Sequence, residues 1–126
     1  MRYYQIMMAY NALGRASLTN LDINDVKVIL DFRKKAMPHI NAFQEAQKDA
    51  LEQLKPNIKE GMAKEEVEKL NKEYERRVNE ALNEDFNKEI DLGLGDKKTS
   101  PDAEALILQN SKLTINDIEL FRFLLG

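Results

Sequence analysis

His39 is the only histidine of the chain. It sits in the stretch Arg33-Lys34-Lys35-Ala36-Met37-Pro38-His39-Ile40-Asn41-Ala42-Phe43, beside one of three prolines. An imidazole does acid–base or metal chemistry only in company: a carboxylate to hold its ring, a nucleophile to activate, or further ligands to close a metal site. No carboxylate stands at a spacing that would orient this ring. The Glu-x-x-His pair of di-iron helical bundles is also missing. The residue reads as solvated or structurally bonded.

Three other stretches have the residue types for chemistry and fail on spacing. Gly93-Leu94-Gly95-Asp96-Lys97-Lys98-Thr99 is close to a phosphate-binding loop, but that loop needs glycine directly before its Lys-Ser/Thr pair, and Lys97 stands there. Asp22-Ile23-Asn24-Asp25 lacks the fifth-position ligand and sixth-position glycine of a calcium loop, and helix capping explains it. Glu65, Glu66, Glu68, Glu73, Glu75 and Glu80 would need burial to raise a pKa for acid–base work, and their spacing reads as a solvated face. No Ser-His-Asp set stands out. Catalytic residues, cofactor, metal and small-molecule ligand are all expected to be absent, and the chain reads as a non-enzyme.

Composition narrows the class. The chain has 126 residues, 33% of them charged, with 22 acidic against 19 basic side chains and a net charge of −3. Basic residues are interleaved with acidic ones, which argues against the basic face that nucleic-acid binding by counterion release requires. Cysteine is absent, so disulfides, thiolate chemistry and zinc fingers are excluded and a cytoplasmic location is permitted. The apolar start, Met1 to Tyr10, is interrupted by two tyrosines and a glutamine and leads to no small-residue cleavage site. Nothing later approaches the ~18 apolar residues of a membrane span. A soluble protein without membrane contact is expected.

The elements follow from periodicity. Tyr3, Ile6, Met7, Tyr10 and Leu13 predict an N-terminal helix over 1–14, with Gly14 suited to end it. Asp22 is a cap and Asp25 a favourable first-turn acid, so a helix starts near Ile23. From there Val26, Ile29, Leu30, Arg33, Met37, Ile40, Phe43, Gln47, Ala50, Leu51 and Leu54 keep one phase across Pro38. That favours a kinked continuous helix, with two abutting helices as the alternative. Lys55 to Gly61 contains both strong breakers and turns the chain near 55–62.

From Lys64 to Asn87, Val67, Leu70, Tyr74, Val78, Ala81, Leu82 and Phe86 mark a second helix. It is flanked by acid-first pairs such as Glu65 with Lys69 and Glu73 with Arg77. A seam this narrow predicts an antiparallel hairpin of coiled-coil type over 22–87 whose arm projects by about 36 Å. Two helices cover each other's seams only in part, so the remainder must meet the terminal segments or a second copy.

After Lys88 the period changes. Ile90, Leu92 and Leu94 alternate with polar residues as a short strand does, and within 88–110 the best partner is Ala105–Gln109 in a small β-hairpin. Ser100-Pro101-Asp102 followed by Glu104 opens a two-turn helix ending at Asn110 equally well. Thr114 with Asp117 caps a terminal helix over 114–125, with Ile115, Ile118, Phe121, Leu124 and Leu125 on its apolar face.

Ile40-Asn41-Ala42-Phe43-Gln44-Glu45-Ala46, Phe86-Asn87-Lys88-Glu89-Ile90-Asp91-Leu92 and Leu113-Thr114-Ile115-Asn116-Asp117-Ile118-Glu119-Leu120 occur in an order that resembles a group of small helical proteins of tailed phages and prophages. The likeness covers most of the chain after Asn11. Pro38 departs from the unbroken first arm that the group would imply. The resemblance implies a phage or mobile-element origin and a role through protein contacts, with no activity and no catalytic residues to carry over.

The expectation is therefore one mainly helical domain, 1–126, acting as a non-enzymatic interaction or assembly protein whose partner is another protein or a second copy, a homodimer held by the open seam and the apolar termini. Tyr4, Met8, Tyr74, Phe121 and Phe123 form its expected contact surface. Two rival readings stand beside it: a nucleic-acid accessory protein using Arg33, Lys34 and Lys35 with Arg76 and Arg77, and a small enzyme with an unrecognised site.

Overall fold

The computed structural model describes residues 1–126 as five α-helices. These are α1 (Tyr3–Leu13), α2 (Ile23–Gln53), α3 (Lys64–Phe86), α4 (Ala103–Asn110) and α5 (Ile115–Leu120), followed by a single 3-10 turn at Arg122–Leu124. The expected mainly helical class holds. α2 starts where its cap puts it: the Asp22 carboxylate accepts the Asn24 amide at 3.0 Å.

The helix then runs through Pro38 without a break. Pro38 has no amide to offer the Lys34 carbonyl, a loss of about 3 kcal/mol in a helix interior. Lys34 lies on the exposed side, where water can take the bond instead.

Asp25, Ile29, Phe32, Ala36 and Ile40 are the buried residues of α2, none of them beyond Ile40. They meet Tyr3, Ile6, Ala9, Ala12 and Leu13 of α1, whose two alanines let the helices approach closely. Ile107, Leu113, Ile118, Phe121, Leu124 and Leu125 complete this one core. The body of the molecule is thus α1, the first half of α2, α4, α5 and the C-terminal turn.

The rest of α2 and α3 form a hairpin. Phe43 lies 6.0 Å from Phe86 between ring centroids, and the Tyr74 hydroxyl donates to the Leu51 carbonyl at 2.6 Å, so advancing along α2 means retreating along α3. At the connection Gly61 takes φ +88°, open only to glycine at low cost.

The predicted β-hairpin does not form. One antiparallel bridge, Arg2 to Glu89, joins the region to the N-terminus instead, with the Ile90 amide donating to the Met1 carbonyl at 2.7 Å and the Tyr3 amide to the Lys88 carbonyl at 2.9 Å. Beyond it the Asp91 carboxylate accepts the Gly93 amide at 2.8 Å, and Gly93 and Gly95 adopt φ +65° and +63°. These are turns, incompatible with a ladder. Ile90, Leu92 and Leu94 still point one way, as half-buried anchors on the core.

Ala105–Gln109 belongs to α4, with Ala103 and Ile107 buried one turn apart, so the alternative helix reading is the correct one. The terminal helix is shorter than 114–125. Its capping box forms between Thr114 and Asp117, but the helix ends at Leu120 and Phe121 turns the chain into the 3-10 segment.

Candidate interaction surface

Three of the five expected contact residues come together. Tyr4, Met8 and Phe123 line one cleft of about 500 Å³ with Leu120 and Glu119, between α1 and α5. Tyr4 stacks on Phe86 at 5.5 Å, and Phe123 meets Phe32 edge-on at 5.4 Å. Both are half-buried, while Met8 is exposed. Phe121 is no surface residue, being fully buried among Ile118, Leu124 and the α1 core. The earlier end of α5 is what turns it inward. Tyr74 lies apart on the hairpin, where its hydroxyl clamps α3 to α2.

A second groove, of about 490 Å³, opens where α1 meets the hairpin. Its apolar wall includes Met7, Ile40, Phe43 and Leu82, with Tyr3 stacked on Phe43 at 4.5 Å. Apart from the Tyr3 phenol its polar groups are carboxamides, Asn11, Gln44, Gln47, Asn79 and Asn83, and no charged residue lines it although a third of the chain is charged. Sequence reasoning missed this set. Gln44 with Gln47 and Asn79 with Asn83 do stand at three- and four-residue steps, but nothing in either helix shows that the two pairs face each other.

Beyond this groove the hairpin becomes an arm. From Asn41 to Arg77 no residue is buried, and Ala50, Leu54, Val67, Leu70 and Tyr74 reach only half-burial. The hollow beside α3 is lined wholly by charged side chains, among them Glu65, Lys72 and Arg76. Arg76 is held between Glu73 and Glu80. Its hydrogen bond holds the Glu73 carboxyl below the usual carboxylate range.

The basic residues of the rival nucleic-acid reading are dispersed. The Arg33 guanidinium lies 4.7 Å above the Tyr10 ring, with its Nε buried and unbonded, and Lys35 bonds Asp31 at 3.1 Å and the Gly93 carbonyl at 3.1 Å. Lys34, Arg76 and Arg77 are exposed, the last two on α3.

His39 lines a small cavity of about 120 Å³ with Tyr3, Asp85 and Lys88, groups that arrive from other parts of the fold. No three His, Asp or Glu side chains converge in a way that could hold a metal ion. No helix is long and apolar enough to cross a membrane. No protein-family model matches the chain, and no curated protein and no solved structure is found to be similar to it.

Proposed function

We propose that the chain is a non-enzymatic interaction or assembly protein that associates with a second copy of itself through the two-helix arm. The observation that carries this reading is the absence of any buried residue from Asn41 to Arg77 in a pair of helices whose facing side chains, Ala50, Leu54, Val67, Leu70 and Tyr74, are apolar or aromatic. Apolar surface gains about 25 cal/mol for each Å² removed from water, and a lone two-helix arm leaves that gain half-collected. A second arm laid along the first would close the seam in the manner of a four-helix bundle. The phage or prophage origin belongs to the same reading and rests on the order of hairpin and Thr114-capped helix.

The test is the solution mass by light scattering after size exclusion, over a series from about 1 to about 100 μM. A dimer is expected for the natural sequence, with Leu70→Lys shifting it to monomer while the near-ultraviolet signal of the body is unchanged. A monomer throughout the series for the natural sequence would sink the reading.

A further inference from the structure

We infer that the outward face of the first half of α2 docks an acidic amphipathic helix of a partner protein. This surface lies on the body and is separate from the arm. Ile23, Leu30 and Met37 stand seven residues apart and are 62%, 51% and 46% exposed. Lys27 and Lys34, both exposed, alternate with them. The five positions therefore advance by steps of four, three, four and three, which on an α-helix is one straight line about 21 Å long.

Scattered exposed apolar residues need no explanation. Three in line, on the face of α2 turned away from its buried row of Ile29, Phe32 and Ala36, present a seam of the kind a second helix reads.

Width and charge decide what covers it. The seam is one side chain wide, with Asn24 and Asn41 exposed at its ends, whereas a helix lying in a lipid interface needs a broad apolar face. A phosphate backbone would meet the two lysines and leave the three large apolar groups unsatisfied.

A second copy of the same seam fits poorly. Pairing it antiparallel about Leu30 sets Ile23 against Met37 but brings Lys27 within one residue of the position opposite Lys34, and parallel pairing sets each lysine against itself. Such like-charge contacts suppress association. Asp31, one turn on from Lys27, is engaged by Lys35 at 3.1 Å, and neither Lys27 nor Lys34 forms an ion pair within the chain, which leaves both to an outside acid. The complementary object is a helix with its own apolar residues in heptad register and Asp or Glu flanking them.

The test uses the full chain and two synthetic helices of about 21 residues with leucine at the seam positions, one flanked by glutamate and the other by lysine. Binding is read by fluorescence anisotropy at about 50 mM and about 300 mM salt. The glutamate helix is expected to bind at least about tenfold more tightly than the lysine helix, with the gap narrowing at high salt. Leu30→Asp should weaken that binding by about tenfold or more, and the double change Lys27→Glu with Lys34→Glu should reverse the preference. Both variants alter exposed side chains, and circular dichroism checks that they fold.

Equal binding of the two helices, no binding of either, or full binding by Leu30→Asp overturns the inference. Vesicles of phosphatidylglycerol and phosphatidylcholine form a separate arm of the test. Binding to them in place of the glutamate helix assigns the seam to lipid and overturns it too. If Leu30→Asp abolishes self-association instead, the seam belongs to a second copy. Leu70→Lys reports on the arm alone, so the two readings fail separately.

Discussion

Both oxygens of the Asp25 carboxylate are taken by a single residue, Ser100, whose amide donates to Oδ1 at 2.8 Å and whose hydroxyl donates to Oδ2 at 2.6 Å. Asp25 is buried in the first turn of α2, so this pair ties the loop before α4 to the start of the longest helix. Removing the hydroxyl leaves a buried charged acceptor short of one bond. Ser100→Ala is expected to lower stability by about 1–3 kcal/mol, read as a shift of the urea midpoint at unchanged slope.

Phe121 and Met8 make a contrast that separates core from surface. Phe121 is wholly buried and Met8 is 41% exposed. Phe121→Ala should cost about 3–5 kcal/mol, and Met8→Ala no more than about 0.5 kcal/mol, by the same denaturation measurement. A cost for Met8→Ala as large as that for Phe121→Ala would mean that the cleft between α1 and α5 is closed in solution.

Asp117 predicts an acid limb. The Thr114 backbone amide, followed by Arg15 at 3.2 Å, holds its carboxyl below the ordinary range. Because the folded value is the lower one, this contribution is present above the unfolded carboxylate pKa and is lost as pH falls through the folded one. Thermal scans between pH 7 and pH 2 are expected to show a smaller loss in Asp117→Asn than in the natural sequence, and identical pH profiles would exclude the role.

Tyr3 predicts the alkaline counterpart. It is 2% exposed, and burial pushes its phenol above the usual tyrosine value. With the folded value raised, the neutral ring's contribution is complete below the unfolded pKa and disappears as pH rises through the folded one. Tyr3→Phe should flatten the decline in melting temperature above about pH 10, and an unaltered decline would assign it to other groups.

Pro38 predicts a gain. Supplying an amide at this position lets the Lys34 carbonyl close its bond, so Pro38→Ala is expected to stabilise the chain by up to about 3 kcal/mol in thermal unfolding. Loss of stability on the same substitution would show that the fixed proline backbone at this position contributes more than the missing bond costs.

Local signals in the sequence carried much of this fold. Asp22, Thr114 and Asp117 act on amides within three residues of themselves, so their spacing alone fixed two helix starts. α2 likewise crosses Pro38 unbroken because a helix keeps its own register, but Leu30, Met37 and Leu51 of the expected stripe face outward, and Phe32 and Ala36 take the buried row instead.

What failed depended on partners far away in the chain. Ile90, Leu92 and Leu94 alternate as a strand would, but the groups that pair with Ile90 belong to Met1, and the Asp91 side chain diverts the backbone at Gly93. Phe121 shares a period with Ile118 and Leu125, and the period could not tell a continued helix from the turn that buries it. The carboxamide groove is hidden for the same reason, since three separate helices supply its side chains.

The tie between Thr99 and Leu124, a 2.7 Å bond from amide to carbonyl, bears on the order in which the molecule can be made. The hairpin's contacts join residues closer in sequence and can form while the chain is still emerging from the ribosome, whereas α1, covered on one side by Ile29 and Phe32, waits for Ile118, Phe121 and Leu124 to cover the rest. The nascent protein therefore carries its arm ahead of a completed body until Ile118 to Leu124 have been added, and it is in that interval that α1 is open to capture by chaperones or by another chain.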